Sequence, residues 1–233
     1  MPEIAPEIFK AYDIRGVVGK SLTTDGVRLI GQALGSELID RSPKDERLEI
    51  AVGRDGRLSG PELAGALMEG IRASGVDVAE IGMFATPVAY FAAHELGCGS
   101  AVAVTGSHNP PEYNGLKMVL AGTTLAGDDV QALRHRIESG KLARGEGRHR
   151  KADIREAYLR RIVSDVRLAR PLFVQGSRKL SLSAEVFNLF NTNNVGGFGA
   201  RPLDASGRPI TNYLLPTAAF AARQAQVGVR AEF

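Results

Sequence analysis

Apolar positions along the first two thirds of the chain fall into alternating helical and extended spacings. From Thr24 to Ile39 the residues Val27, Ile30, Leu34 and Leu38 recur at three- and four-residue steps, which predicts an amphipathic helix. Leu48-Glu-Ile-Ala-Val52 reads as a buried strand. Ser59-Gly-Pro-Glu62 has the spacing of a capping box, and it opens a helix with Leu63, Leu67 and Ile71 on one face and Gly75 as its stop. Val76 to Ile81 predicts a second strand, Pro87 to Leu96 a helix ending at Gly97, and Ser100 to Val104 a third strand of small and β-branched residues. Lys117 to Leu120 can return as a strand, and Asp128 to Glu138 fits a helix. This order predicts a three-layer α/β/α fold: a mostly parallel sheet with helices on both faces. A further helix from Asp153 to Val163 would bury Ile154, Tyr158 and Ile162. The basic stretch from Lys141 to Lys151 reads as a solvated connection, with phosphate binding by Arg148 or Arg150 as its alternative.

Beyond Pro171 the period changes to two. Lys179-Leu180-Ser-Leu182-Ser-Ala184-Glu-Val186 alternates, and so does Arg223-Gln-Ala225-Gln-Val227-Gly-Val229-Arg-Ala231-Glu-Phe233. Up to Pro171 the chain has 23 Lys+Arg and 23 Asp+Glu, whereas the rest has 6 and 3, with six of the nine phenylalanines. The expected organisation is therefore an α/β domain over residues 1–150, a connecting helix over 151–171 and an unrelated β-rich tail over 172–233. Each alternating run has about the ~10 residues of an outer-membrane strand. The segment Glu185-Val-Phe-Asn188-Leu-Phe-Asn191, with Phe233 at the end, resembles the closing strands of TonB-dependent outer-membrane receptors. An amphipathic hairpin lying on the first domain is the alternative. Two or three strands cannot close a barrel, so the tail alone cannot span a membrane; its apolar faces are expected to favour self-association or aggregation. A join between two genes, by rearrangement, misassembly or gene calling, would explain the contrast.

Composition narrows the classes. A length of 233 residues allows one large or two small domains, and 44% hydrophobic content is ordinary for a globular protein. Cys98 is the only cysteine, which excludes an internal disulfide and suits a reducing compartment. A formal charge of +3 without a Lys/Arg run gives no argument for nucleic acid. The first residues, Met1-Pro-Glu-Ile-Ala-Pro-Glu, lack the basic and apolar regions of a signal peptide, so the expected location is cytoplasmic.

Candidate chemistry concentrates in Ala101-Val-Ala-Val-Thr-Gly-Ser107-His108-Asn109-Pro-Pro-Glu-Tyr-Asn114-Gly115-Leu-Lys117. An interior strand runs into a loop holding a hydroxyl, an imidazole, two amides and an ammonium, and ligands of open α/β sheets sit beyond such strand ends. A Ser-His hydrolase is one reading, but G-x-S-x-G is absent and adjacent residues point apart. A phosphate-handling serine with Lys117 as its cation is the second. The third leaves Thr105, Ser107 and Asn109 as turn-forming residues.

The run from Thr105 to Lys117 resembles the phosphoserine loop of the alpha-D-phosphohexomutases, the phosphomannomutase/phosphoglucomutase family. Phe9-Lys-Ala-Tyr12-Asp-Ile-Arg15-Gly16, Val52-Gly-Arg54-Asp55-Gly-Arg57-Leu-Ser59 and Gly82-Met-Phe-Ala-Thr86-Pro87-Val resemble further segments of the same family, in order. The likeness spans about residues 8–165 and corresponds to that family's first domain. It implies that Ser107 carries a phosphoryl group between the 1- and 6-positions of a hexose phosphate, with Lys117 and His108 completing the catalytic set. Tyr12, Arg15 and Asn109 would bind phosphate or substrate. It also implies magnesium, held partly through Ser107 and its phosphate. The family's Asp-Gly-Asp-x-Asp-Arg metal loop, sugar-reading loop and phosphate clamp have no counterpart here, so the chain is expected to turn over little substrate by itself. Two other readings stay open: a receptor fragment with a passenger head, and a non-catalytic phosphosugar-binding module.

Overall fold

A computed structural model describes residues 4–43 and 47–165, together with the tail segments 170–175, 178–187, 195–198, 216–219 and 224–232; side chains are described as far as residue 162. The chain divides into two compact units, Met1–Tyr158 and Leu159–Phe233.

In the first unit the strands are β1 (Ile14–Val17), β2 (Glu49–Arg54), β3 (Asp77–Met83), β4 (Ala101–Val104), β5 (Tyr113–Leu120), β6 (Thr123–Thr124) and β7 (His149–Lys151). The helices are α1 (Thr24–Arg41), α2 (Gly60–Ala73), α3 (Thr86–Glu95) and α4 (Asp128–Glu138); α5 (Arg155–Asp165) begins here. The sheet order is β1-β5-β4-β2-β3-β7, with β6 on β5. The pairs β4–β2, β2–β3 and β3–β7 are parallel, but β5 runs antiparallel to β4 and β1 antiparallel to β5. β5 alone runs against the other strands, so the sheet is mostly parallel, as expected, with one reversed strand between β1 and β4. The cause is local: no helix intervenes between β4 and β5, so the chain turns straight back on itself. That turn is the candidate loop.

Alternation along the strands divides the core in two. Ile14, Val52, Val102, Val104, Leu116 and Met118 pack with the inner faces of α1, α2 and α4, including Val27, Ile30, Leu34, Leu38, Leu63, Leu67 and Ile71. Small residues, Ala51, Ala101 and Ala103, line the other side and admit α3 through Val88, Ala89 and Ala92. α1 and α2 cross almost backbone to backbone: a Cβ at Gly70 would lie 1.9 Å from the Arg28 carbonyl oxygen.

Two local expectations are corrected. Ser59 makes no cap hydrogen bond; its Oγ accepts from Asn114 Nδ2 at 2.9 Å, and Glu62 accepts from Thr24 Oγ1 at 2.8 Å. Tertiary partners have replaced the local reciprocal pair. Ile162 is 37% exposed, while Ile154, which precedes α5, is buried and Tyr158 stacks edge-on against Phe91. Within the basic connection, β7 forms an exposed parallel edge strand on β3.

The second unit holds β8 (Arg170–Gln175), β9 (Arg178–Phe187), β10 (Val195–Phe198), β11 (Pro216–Ala219) and β12 (Gln224–Glu232). Both alternating runs form strands, β9 and β12, and they pair antiparallel from Gln224↔Phe187 to Glu232↔Lys179. Among the described residues, no helix is long and apolar enough to cross a membrane.

Candidate functional site

The loop after β4 begins under tight control. Thr105 N–H extends the ladder by donating to the Gly115 carbonyl at 2.9 Å, and Thr105 Oγ1 accepts from Ser107 N–H at 3.0 Å. Asn109 donates twice to the Gly106 carbonyl, from its N–H at 3.0 Å and from Nδ2 at 2.9 Å. Tyr113 N–H closes on the Pro110 carbonyl at 3.0 Å. Ser107 therefore stands at the crown of a closed turn, exposed, with φ at +52°. A left-handed non-glycine residue costs roughly 1–3 kcal/mol and persists only where its neighbours fix it. Its Oγ and the exposed His108 ring make no hydrogen bond among the described residues.

What fixes the loop comes from the β2–α2 connection. Asp55 accepts Arg57 N–H on Oδ1 at 3.0 Å and Gly106 N–H on Oδ2 at 3.2 Å. The Arg57 guanidinium lies under the turn and donates to loop carbonyls. Neither residue is given a role by local pattern. The signals in the sequence were an acid and an arginine two apart just past a buried strand end, and their place in the Val52–Ser59 stretch that resembles the family.

Cations gather on the neighbouring strands. Arg15 stands across from Gly115, and Lys117 lies two residues further along β5, so both project on the side of the sheet that carries Ala103 and α3. Asp13 joins them, with Oδ1 3.7 Å from Arg15 Nη2 and Oδ2 3.7 Å from Lys117 Nζ. These contacts are long and partly exposed, hence weak, and an incoming anion can replace the carboxylate. Burial, together with the charge of Asp13, raises the Tyr90 phenol on α3 above its ordinary range. Tyr12 is 58% exposed, beside Asp13 in the chain. The structure thus groups Arg15 with Lys117, and Ser107 with His108 and Asn109, at the carboxyl end of β4.

Arg148 and Arg150 lie elsewhere. Arg150 forks onto Glu49 at 2.8 and 2.6 Å, and Arg148 Nε is 3.5 Å from Asp77. These pairs border a groove of about 490 Å³ at the amino ends of β2 and β3; a larger groove of about 600 Å³ is adjacent, lined by Arg47, Asp77 and Glu146 among others. Neither groove contains a residue of the β4–β5 loop. Volume is a poor guide here, because the exposed hydroxyl and the displaceable cations are at the other end.

Among the described residues, no three His, Cys, Asp or Glu side chains converge in a metal-holding group. A hard cation needs several oxygens, and Ser107 supplies one, so these residues by themselves do not fit a magnesium site.

Comparison with known proteins gives a consistent result. The family described as "Phosphoglucomutase/phosphomannomutase, alpha/beta/alpha domain I" matches residues 6–144. Phosphomannomutase/phosphoglucomutase of Pseudomonas aeruginosa PAO1 is 49% identical over 173 residues, 74% of this chain and 36% of the relative. A phosphoglucomutase of Neisseria meningitidis Z2491 aligns over 214 residues at 42% identity, 91% of this chain and 43% of the relative. Among solved structures, a phosphoglucomutase/phosphomannomutase family protein from Burkholderia thailandensis superposes with a TM-score of 0.67 at 49% identity, over 73% of this chain and 38% of that one. The chain therefore spans well under half the length of these relatives.

Proposed function

The chain belongs to the phosphoglucomutase/phosphomannomutase family, and from that membership we propose that it carries the phosphoryl-relay part of a hexose-phosphate mutase. The observation that carries this reading is Ser107, exposed and held left-handed at the end of β4 by a turn whose Thr105 and Asn109 side chains are engaged.

In the proposed step a hexose bisphosphate donates to Ser107. The Oγ–P bond forms as the donor's P–O bond breaks, and the serine proton ends on the leaving sugar oxygen. Transfer to a hexose monophosphate reverses these events. Such chemistry depends on alignment and charge neutralisation. Lys117 and Arg15 supply the positive charge, exchanging Asp13 for phosphate oxygens, and Arg15 can present two parallel donors. His108 and Tyr12, both exposed, border the site as hydrogen-bonding partners of the substrate.

Incubation with a labelled hexose 1,6-bisphosphate, followed by mass spectrometry, tests the relay. Phosphate on Ser107, absent in Ser107→Ala, is the expected result; no label on the native chain overturns it. A coupled assay on glucose and mannose 1- and 6-phosphates is expected to give little net turnover, because the described residues assemble no metal group. Binding of the sugar phosphate without label transfer would instead favour the non-catalytic binding module.

The tail keeps its reading as a segment of separate origin. The charge shift beyond Pro171 supports it, whereas the Neisseria alignment, which covers 91% of this chain, extends into the tail. Its likeness to receptor strands rests on sequence pattern. Sequencing source DNA across the codons for Arg170 to Arg178 tests the join; an uninterrupted, independently confirmed frame removes the artefact explanations.

A further inference from the structure

One side chain from outside the candidate loop bonds four of its carbonyls. Arg57 Nη1 donates to the carbonyls of Pro110 at 2.7 Å and Tyr113 at 2.9 Å, and Nη2 to those of Asn109 at 2.6 Å and Ser107 at 3.2 Å. Its Nε lies 3.4 Å from Asp55 Oδ2, the atom that also accepts Gly106 N–H. Only 17% of the side chain is exposed. Four carbonyl oxygens from one turn thus converge on one planar cation.

We propose that Arg57 is the positioning residue of the phosphoryl-carrying loop: its guanidinium gathers these carbonyls and thereby holds Ser107 in the left-handed conformation that keeps its hydroxyl outward. The proposal rests on the reading of Ser107 as phosphoryl carrier. The chemistry favours arginine specifically. A guanidinium presents five donors in a fixed plane, whereas an ammonium is a single point with three and cannot span the same four acceptors. The loop's own bonds, Asn109 to Gly106 and Tyr113 to Pro110, close short rings, so that of the four carbonyls Pro110 alone has a second donor from within the loop.

Gly106 is the other half of the device. A Cβ at that position would lie 2.2 Å from both Cζ and Nε of Arg57. Gly106 is not among the residues with positive φ, so this clash rather than backbone conformation is what demands glycine there. Gly106→Ala displaces the guanidinium and should reproduce the loss of Arg57.

The experiment is hydrogen exchange on the full chain, comparing the native protein with Arg57→Ala, Arg57→Lys and Gly106→Ala. The amides of Gly106, Ser107, Asn109 and Tyr113 are expected to exchange about tenfold faster or more in all three, with β4 and α2 keeping their protection. Millimolar guanidinium should restore the loop in Arg57→Ala, and methylammonium should not. Unchanged loop exchange in Arg57→Ala overturns the proposal. So does equal loss of protection in β4 and α2 in every variant, which would make Arg57 a prop for the fold. Label transfer from a hexose bisphosphate is measured in parallel. Absence of label on the native chain counts against the phosphoryl-carrier reading alone, because loop exchange still decides the role of Arg57.

Discussion

At the amino ends of the parallel strands, Arg47, Arg148 and Arg150 each meet a carboxylate of Asp77 or Glu49, whereas at the carboxyl ends Arg57 turns its guanidinium onto four backbone carbonyls. The first arrangement neutralises charge on an exposed rim, where individual pairs contribute about 0–1 kcal/mol. The second uses charge to shape a turn. The amino end holds both grooves described above, yet its polar groups are committed to one another. The carboxyl end offers the unengaged Ser107 hydroxyl and two cations loosely shared by Asp13. Functional potential in this sheet follows unsatisfied chemistry, and concavity misdirects.

The sharpest way to break this contrast is Ser107→Ala. Label at position 107 should vanish, while the unfolding free energy changes by no more than about 0.5 kcal/mol, since the side chain is exposed. Residual label at the same turn, on His108 for example, would show that another group carries phosphate. Next in size, Asp55→Asn removes the charge opposite Arg57 Nε and turns one of the two oxygens that accept backbone N–H groups into a donor. It should lower stability by about 1–3 kcal/mol and slow labelling. Asp77→Asn is its partner at the opposite end, where Arg47 and Arg148 pair and Arg148 N–H donates at 2.7 Å. A comparable stability loss by chemical denaturation, with labelling unchanged, is expected there. If both substitutions slow labelling equally, the two ends do not differ in the way described.

Periodicity made the scaffold legible and left its wiring hidden. Val27, Ile30, Leu34 and Leu38, at helical spacing, all face the core, and both alternating runs of the tail form strands that pair with each other. Ser59 and Glu62 illustrate where local reading stops. Their spacing satisfies a capping box, yet each bonds a partner that lies far away in sequence, at Asn114 and Thr24. The antiparallel return of β5 was invisible for a related reason: strand propensity has no direction, and only the missing crossover decides it. Arg57 escaped because its four acceptors are backbone carbonyls, which no residue pattern encodes, some 50 positions downstream. The loop from Thr105 to Lys117, at the end of a buried strand, was legible because its motif is long. Asp13 lies in the Phe9–Gly16 stretch with no role that the sequence assigns, and its part emerges only when β1 pairs with β5.

Asp13→Asn sharpens the contrast at smaller amplitude. With the carboxylate neutralised, Lys117 and Arg15 lose the group that competes with an incoming anion. Inorganic phosphate, titrated by nuclear magnetic resonance, should bind a few-fold more tightly, about 1 kcal/mol or less at a partly exposed site. The equivalent change at the amino end, Glu49→Gln beside Arg150, should leave phosphate affinity at the Lys117 site unaltered. Weaker binding in Asp13→Asn would mean that the carboxylate orients the two cations rather than occupying them.

The smallest effect concerns alkaline pH, where each side of the comparison contributes one group. Burial pushes the Cys98 thiol, beside the amino-end groove, above its ordinary 9.0. Burial and then the charge of Asp13 push the Tyr90 phenol above its ordinary 10.0. In both cases the folded chain holds the proton more tightly than the unfolded one. The stability linked to each group is therefore fully present below those ordinary values and is lost as pH rises through the raised folded ones. Denaturation followed from neutral pH upward should show a decline beginning near 9.0 that Cys98→Ala delays, and a later one that Tyr90→Phe removes. Adding Asp13→Asn to the chain should shrink the Tyr90 step selectively, since an anion facing a phenol opposes its ionisation, and a neutral amide does not. A Cys98 step that moved equally with Asp13→Asn would show the two ends to be electrostatically joined, and their separate treatment would fail.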